Sequence, residues 1–365
     1  MRVIKIDLNV IAENYRTLKK ITGGKVLAIV KANAFGHGMI EVAKKLESIN
    51  VDILGTADID EALQLRAAGI KSPIMAWLYS KDTEFEEAIE NNIQLGASTV
   101  TTLEKVAAAA KKVSSVAKIH LKVDTGLGRN GSSLSEWPGL IEKAVKFQRA
   151  GLVELVGVFS HLSGTSEKDD LEQLRVFNEA VATASNLGAV FELHHIAASL
   201  ATLRYPKTHL DMTRAGAALY GIDPNHETKA RDHGLLPAMR VTSEVVLVKT
   251  VHSGHSLSYG YLHSTTGESN LALVPFGYTE GFPRIATGKA QVSLNGKRYT
   301  VLARVAMDQF ILDLGADTAQ IGDEVVIIGD GTRGEPTAEE LAEAAGTINY
   351  EIVTKMGGRA KRIFN

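Results

Sequence analysis

Apolar positions in this chain come as short unbroken runs separated by longer amphipathic stretches. The clearest run is 26–30, five apolar residues between Lys25 and Lys31. Such a run fits a strand buried on both faces. It stops abruptly at Lys31, small and turn-forming residues follow, and helical spacing occupies 39–46. Upstream, 3–8 reads as a short strand. Ile11, Tyr15 and Leu18 then share a helical face that Gly23-Gly24 ends.

Downstream the alternation is regular. Strand patterns fall at 53–57, 73–78, 93–97, 117–123, 155–159, 191–197 and 213–220. Helical patterns lie between most of them: Ile59, Ala62, Leu63 and Ala67 stripe one, and Ser98 is placed to cap another whose Leu103, Val106, Ala107 and Ala110 face inward. With the run before Lys31 there are eight strands. Alternating β and α over roughly 220 residues predicts a parallel sheet. Eight repeats predict an α/β fold of the (β/α)8, TIM-type barrel class rather than an open doubly wound sheet. No G-x-G-x-x-G follows the first strand, which weighs against a dinucleotide site.

The pattern changes near Pro224. Residues 225–237 are polar and irregular, as a linker would be. Beyond them the chain reads as mostly β: 243–251, 271–276, 310–314 and 324–328 are strand-like. Asn295-Gly296 between two strand runs predicts a two-residue hairpin. Thr337 with Glu340 forms a capping box for a last helix that ends near Gly346. The expected domains are a barrel over 1–224 and a mostly β domain over 225–365.

Composition narrows the chemistry. The 365 residues suit two domains. With 40 basic and 42 acidic residues and no local basic run, nothing points to nucleic acid. The absence of cysteine excludes disulfides, thiolate metal sites and a cysteine nucleophile. No metal site is expected. No apolar run approaches the ~18 residues of a membrane span, and the first twenty residues lack the apolar core of a signal peptide. A cytoplasmic protein is the simplest expectation.

Several unusual side chains fall at or just past predicted strand ends: Lys31, Lys122 with Arg129, His161, Ser199 and Arg214. In a barrel these share the rim where chemistry is placed. A partly desolvated lysine there has a lowered pKa and serves as a nucleophile toward a carbonyl. Each also has an ordinary reading. Lys31 marks where a strand meets water, Lys122 and Arg129 are solvated charges, His161 is a structural histidine, Ser199 caps a helix and Arg214 pairs with Asp211. The cluster is harder to dismiss than any member.

These residues sit in motifs that resemble the alanine racemase family. V-K-A-N-A-F-G-H-G resembles its cofactor-lysine motif. Others follow in order: L-K-V-D-T-G-L-G-R at 121–129, F-S-H at 159–161, H-I-A-A-S at 195–199, R-A-G-A-A-L-Y-G at 214–221, S-Y-G at 258–260, G-Y-T-E-G at 277–281, R-V-A-M-D-Q at 304–309 and G-T-I-N-Y-E-I at 346–352. The resemblance implies a barrel plus a β domain, a head-to-tail homodimer with shared sites, and pyridoxal 5'-phosphate as cofactor. The implied reaction interconverts L-alanine and D-alanine and supplies D-alanine for peptidoglycan.

It also implies roles. Lys31 forms the Schiff base with the cofactor and acts as one base. Tyr259, from the partner subunit, is the other. Arg214 faces the pyridine nitrogen, and His161 links it to the tyrosine. Arg129 contacts the cofactor phenolic oxygen and the substrate carboxylate. Lys122, often carbamylated in the family, holds Arg129. Ser199, Gly216, Ala217 and Tyr350 cradle the phosphate. Met307 and Asp308, from the partner, lie on the substrate-carboxylate side and the pocket wall. Three positions depart from the family pattern: Phe35 for tyrosine, Ala198 for asparagine and Ala306 for cysteine. The first removes a phosphate hydrogen bond and the second loosens the same region. Racemisation of serine, a non-catalytic pyridoxal-phosphate carrier and a barrel-type decarboxylase are the alternatives. The second domain argues against the carrier and the missing cysteine against the decarboxylase.

Overall fold

The computed structural model describes residues 1–225 and 228–365. The chain divides into two compact units. One comprises Ile11–Ala34 and Met39–Leu235, the other Met1–Val10, Phe35–Gly38 and Leu236–Asn365.

The first strand of the chain, β1 (Val3–Ile6), belongs to the second unit. The first unit holds eight parallel strands: β2 (Lys25–Ile29), β3 (Ile53–Gly55), β4 (Ile74–Ala76), β5 (Ile93–Ala97), β6 (Ala117–Lys122), β7 (Val153–Phe159), β8 (Leu193–His195) and β9 (Met212–Ala215). They pair in chain order, and β9 pairs with β2. Asp211 N–H donating to His194 O (3.2 Å) and Arg214 N–H to Ala197 O (3.0 Å) join β9 to the chain around β8 and close the barrel. The run 26–30, expected to be buried on both faces, is so. In β2 every residue after Lys25 is buried, and β5 is buried throughout.

Helices cover the outside of the strands. Val100–Lys112 buries Leu103, Val106, Ala107 and Ala110 as expected, but its cap is Thr99 rather than Ser98. Thr99 is extended and its hydroxyl accepts from Thr102 N–H at 3.1 Å, which satisfies one of the first-turn donors.

The second unit contains three sheets built from β1, β10 (Met239–Glu244), β11 (Leu247–Val251), β12 (Ser256–Leu257), β13 (His263–Ser264), β14 (Ser269–Val274), β15 (Gln291–Leu294), β16 (Lys297–Thr300), β17 (Phe310–Gly315), β18 (Glu324–Ile328) and β19 (Lys361–Phe364). Their orders are β16-β15-β18-β10-β1-β19, β11-β14-β17 and β12-β13. Asn295 and Gly296, with φ of 51° and 77°, form the expected hairpin turn. Thr337 and Glu340 cap the helix Ala338–Ala345, which Gly346 ends at φ 67°.

Three expectations need correction. The strand expected at 3–8 falls in the range expected for the barrel domain, 1–224, yet β1 pairs antiparallel with β10 and parallel with β19. Backbone pairing across that separation leaves no trace in local periodicity. The run 243–251 is two strands, because the chain leaves one sheet at Glu244 and enters another at Leu247. The last strand, β19, and the helix Asn349–Lys355 had no assigned pattern. Of the expected linker 225–237, His226 and Glu227 lie outside the described residues, and a 3-10 turn occupies Ala230–His233. Among the described residues no helix is long and apolar enough to cross a membrane.

Candidate active site

Parallel strands all end on one side of a barrel, so the expected rim residues share a face. Lys31 follows directly on the buried β2 run and is half-buried. The four residues after it, Ala32, Asn33, Ala34 and Phe35, have φ between 52° and 55°. This is a left-handed turn with no glycine. Such backbone costs roughly 1–2 kcal/mol per residue, so specific contacts must hold it. Glu61 supplies one: its carboxylate accepts from Ala32 N–H at 2.6 Å, and its other oxygen is anchored by Ala57 N–H at 2.8 Å. Asn33 Oδ1 accepts from Met39 N–H at 2.9 Å. Lys31 is thereby fixed at the strand end with little backbone freedom.

The site is cationic. Burial lowers the Lys31 amine pKa, Arg129 lowers it further, and Glu61 opposes them. Burial also pulls Lys122, with Arg214, Arg129 and Lys31 adding to it and Asp124 opposing, down to about 8. Arg214 is buried and pulled down to about 9 by burial and Arg129, so it stays protonated at neutral pH. Burial and the same four cations push His161 far below its ordinary value, so it is neutral.

The Lys122 shift fixes a sign. The folded pKa lies below the ordinary 10.5, so protonated Lys122 opposes folding below about pH 8, and the penalty fades as pH rises toward 10.5. In cofactor-free protein kept free of CO2, Lys122→Met is expected to be more stable than wild type at pH 7 by about 2 kcal/mol. That advantage should vanish by about pH 10, as read by thermal unfolding across pH.

Among the described residues no carboxylate holds Arg214. Its Nη1 donates to His195 Nδ1 and His195 O, both at 3.1 Å. Its Nη2 donates to Ser160 O (2.7 Å), Ile196 O (3.0 Å) and His161 Nδ1 (3.0 Å). The expected pairing with Asp211 is absent, since Asp211 accepts from His194 instead. The Nε–H has no protein acceptor among the described residues. Phe159 is the platform beside it. His195 stacks on that ring at 4.9 Å and 1°, and Lys122 Nζ and Arg214 Cζ lie 5.4 and 5.7 Å from its centroid.

Arg129 is carried on a loop closed by Val123 and Ser132. Asp124 accepts from Gly126 and Gly128 N–H, and Gly131 is obligatory: at φ 141°, a Cβ there would lie 2.4 Å from Asp124 N. Ser199 opens the helix Ser199–Arg204, and its hydroxyl accepts from Gly216 N–H (3.0 Å) and Ala218 N–H (3.3 Å). This ties it to the 3-10 turn Ala217–Tyr220, so two sets of first-turn N–H groups converge. Ala198 is the N-cap of the first of these helices and makes no side-chain bond to it.

In the second unit, Tyr259 sits on an exposed turn with Ser258 and Gly260 at positive φ. The Ser258 hydroxyl donates to Arg304 O at 2.7 Å. Residues 306–308 follow two positions later. The G-Y-T-E-G turn supports them: Tyr278 and Thr279 N–H donate to Ala306 O and Met307 O. Buried Glu280 accepts from Gly277 N–H and from Arg359, and Arg359 also reaches Asp308 at 2.7 Å. Phe35 and Tyr350 pack ring to ring, with centroids 6.0 Å apart.

A family model described as "Alanine racemase, N-terminal domain" matches residues 6–224, and one described as "Alanine racemase, C-terminal domain" matches 238–364. The chain belongs to the alanine racemase family. It is 42% identical to an alanine racemase of Beutenbergia cavernae, over 98% of this chain and 96% of that one. It is 42% identical to one of Thermobifida fusca, over 99% and 97%. The crystal structure of alanine racemase from D-cycloserine-producing Streptomyces lavendulae superposes with a TM-score of 0.98 at 44% identity, covering 100% of this chain and 97% of that one.

Within this alanine racemase fold the barrel brings together Lys31, Lys122, Arg129, His161, Ser199, Arg214, Gly216 and Ala217. The second unit carries Tyr259, Met307, Asp308 and Tyr350. Sequence reasoning gave no role to Glu61, Phe159, His195, His120, Gln94, Glu280 or Arg359. The available signal was polar residues interrupting apolar strands, as Gln94 does in I-Q-L-G-A and His120 in A-K-I-H-L-K.

Proposed function

We propose that the protein is an alanine racemase that interconverts L-alanine and D-alanine with pyridoxal 5'-phosphate, as a homodimer with shared sites, and supplies D-alanine for peptidoglycan. The observation that carries this reading is the gathering of Lys31, Lys122, Arg129 and Arg214 on one barrel face with few opposing carboxylates. Such a site suits an anionic ligand, and the side chains fit this one. Lys31 offers an amine of lowered pKa. Ser199 and the N–H groups of Gly216 and Ala217, with Tyr350, suit a phosphate. Arg129 suits the phenolic oxygen, and the spare Nε–H of Arg214 suits an unprotonated ring nitrogen.

When bound, pyridoxal 5'-phosphate supplies an electron sink that acidifies the Cα–H of the amino acid. Lys31 takes or returns that proton on one face. The Tyr259 hydroxyl does so on the other, and two positioned groups invert the centre without turning the substrate over. Arg129 and the Met307–Asp308 segment hold the carboxylate. His161, neutral with Nδ1 facing Arg214, carries its proton on Nε2 and links Arg214 to the tyrosine. Arg214 offers no proton to spare, so the sink stays weak and side reactions are limited. Lys122, partly neutral near pH 8, has the free amine that addition of CO2 with loss of a proton requires, and a carbamate formed there would pair with Arg129. Exposed Tyr259, Tyr261, Leu262, Ile285, Met307 and Ile348 on the second unit suit burial by a second copy.

The test is L-alanine in deuterated water with cofactor-loaded protein. Exchange at Cα with concurrent loss of optical rotation is the expected result. No exchange despite lysine-bound cofactor would overturn it, and serine would be tried next. Phe35→Tyr is expected to tighten cofactor binding about tenfold, the equivalent of one hydrogen bond to a charged group. Equilibrium dialysis checks it, and an unchanged dissociation constant would show that Phe35 costs no affinity.

A further inference from the structure

Behind Arg214 the barrel interior holds a file of buried polar side chains that proton transfer does not itself require: His195, then His120 on β6, then Gln94 on β5. His195 Nε2 lies 3.1 Å from His120 Nδ1, and His120 Nε2 lies 2.7 Å from Gln94 Oε1.

Proton positions follow by deduction. A guanidinium only donates. His195 Nδ1, 3.1 Å from Arg214 Nη1, must therefore accept, and the neutral ring carries its proton on Nε2. That proton meets His120 Nδ1, which must also accept. The His120 proton is then on Nε2 and goes to the Gln94 carbonyl. The opposite polarity would set a buried N–H against an arginine N–H. Burial and the charge of Arg214 keep both rings neutral. Space for the file is reserved: a Cβ on Gly157 would lie 2.4 Å from His120 Nδ1.

We propose that His120 and Gln94 are positioning residues that lock His195 in its Nε2–H tautomer and so keep the Nδ1 lone pair on Arg214. Its consequence for catalysis rests on the reading that Arg214 faces the cofactor ring nitrogen. If the file is broken, the buried Nε2–H of His195 loses its acceptor, the ring shifts to recover one, and its hold on Arg214, and so on the ring nitrogen, weakens. Transamination then competes: the amino group moves to the cofactor and one pyruvate forms for each cofactor converted to its pyridoxamine form.

Neutron diffraction from deuterium-exchanged holoenzyme reads the lock directly. The expected map has deuterium on Nε2 and none on Nδ1 of both His120 and His195. Deuterium on Nδ1 of either ring overturns the proposal. The same map locates Arg214 against the cofactor, so failure of the functional reading is seen separately. In Gln94→Leu holoenzyme, kcat is expected to fall on the order of tenfold, the rate equivalent of one hydrogen bond, with KM nearly unchanged. Pyruvate formed per racemisation should rise, and Gln94→Glu, which keeps an acceptor, should restore the wild-type ratio. An unchanged ratio in Gln94→Leu overturns the positioning role, whether or not the amount of folded protein falls.

Discussion

Tyr259→Ala is expected to lower the racemisation rate by about 10²- to 10⁴-fold, the usual contribution of one general acid–base group. The cofactor's visible absorption should remain, because nothing on the Lys31 side of the site is touched. Stability should hardly change: Tyr259 is 71% exposed on its own chain, and its turn is held by the Ser258–Arg304 bond rather than by the ring. A shared site makes a sharper form of the test. Lys31→Ala and Tyr259→Ala homodimers are each inactive. Mixed after reversible dissociation, half of the dimers are hybrids, and each hybrid joins one intact Lys31 to one intact Tyr259. About a quarter of wild-type activity should return if the site is built across a twofold dimer. Complementation that fails despite demonstrated hybrids would place both residues in one protomer's site.

Arg214→Leu is expected to produce the largest loss of stability of any single change at the site. The side chain satisfies five buried acceptors. Removing it leaves three carbonyls and two imidazole nitrogens facing an apolar group. A buried polar group without a partner costs about 1–3 kcal/mol, and neighbours recover part of it. A net loss of about 3–5 kcal/mol follows, which lowers the first calorimetric unfolding transition by about 10 °C. The opposing term is relief of the repulsion between Arg214 and Lys122, and it is small because burial rather than Arg214 is the main cause of the Lys122 shift. A transition shifted by only a degree or two would mean that these acceptors are satisfied by water.

The barrel was legible because most of its strands are short, largely apolar runs followed by a helical stripe. The Asn295-Gly296 hairpin and the Thr337/Glu340 cap were legible because both are local chemistry. The candidate site was legible only as strand-end residues and motifs. Glu61 escaped notice because an acidic residue in a first helical turn is ordinary. Its bond to Ala32 in the Lys31 turn exists only once β2 and β3 pair. The left-handed turn itself has no glycine to announce it. Gln94, His120 and His195 read as isolated polar residues, because only burial shows that they touch. Likewise β1 has the pattern of any short strand, and its partners lie far along the chain.

That distant pairing bears on how the protein is made. Strands β2 to β9 meet their neighbours soon after each is synthesised, so the barrel can begin to form while the chain is still growing. The segment Val3–Ile6 cannot: its first partner begins at Met239. At ordinary translation rates that is a wait of roughly 10–50 s. Its other partner, β19, begins at Lys361 and is synthesised later still. Throughout that interval an apolar strand with two open edges stays attached to the nascent chain. Chaperone binding and misassembly with a neighbouring copy should concentrate there, and slowing the ribosome late in the message should raise the yield lost to aggregation more than slowing it early.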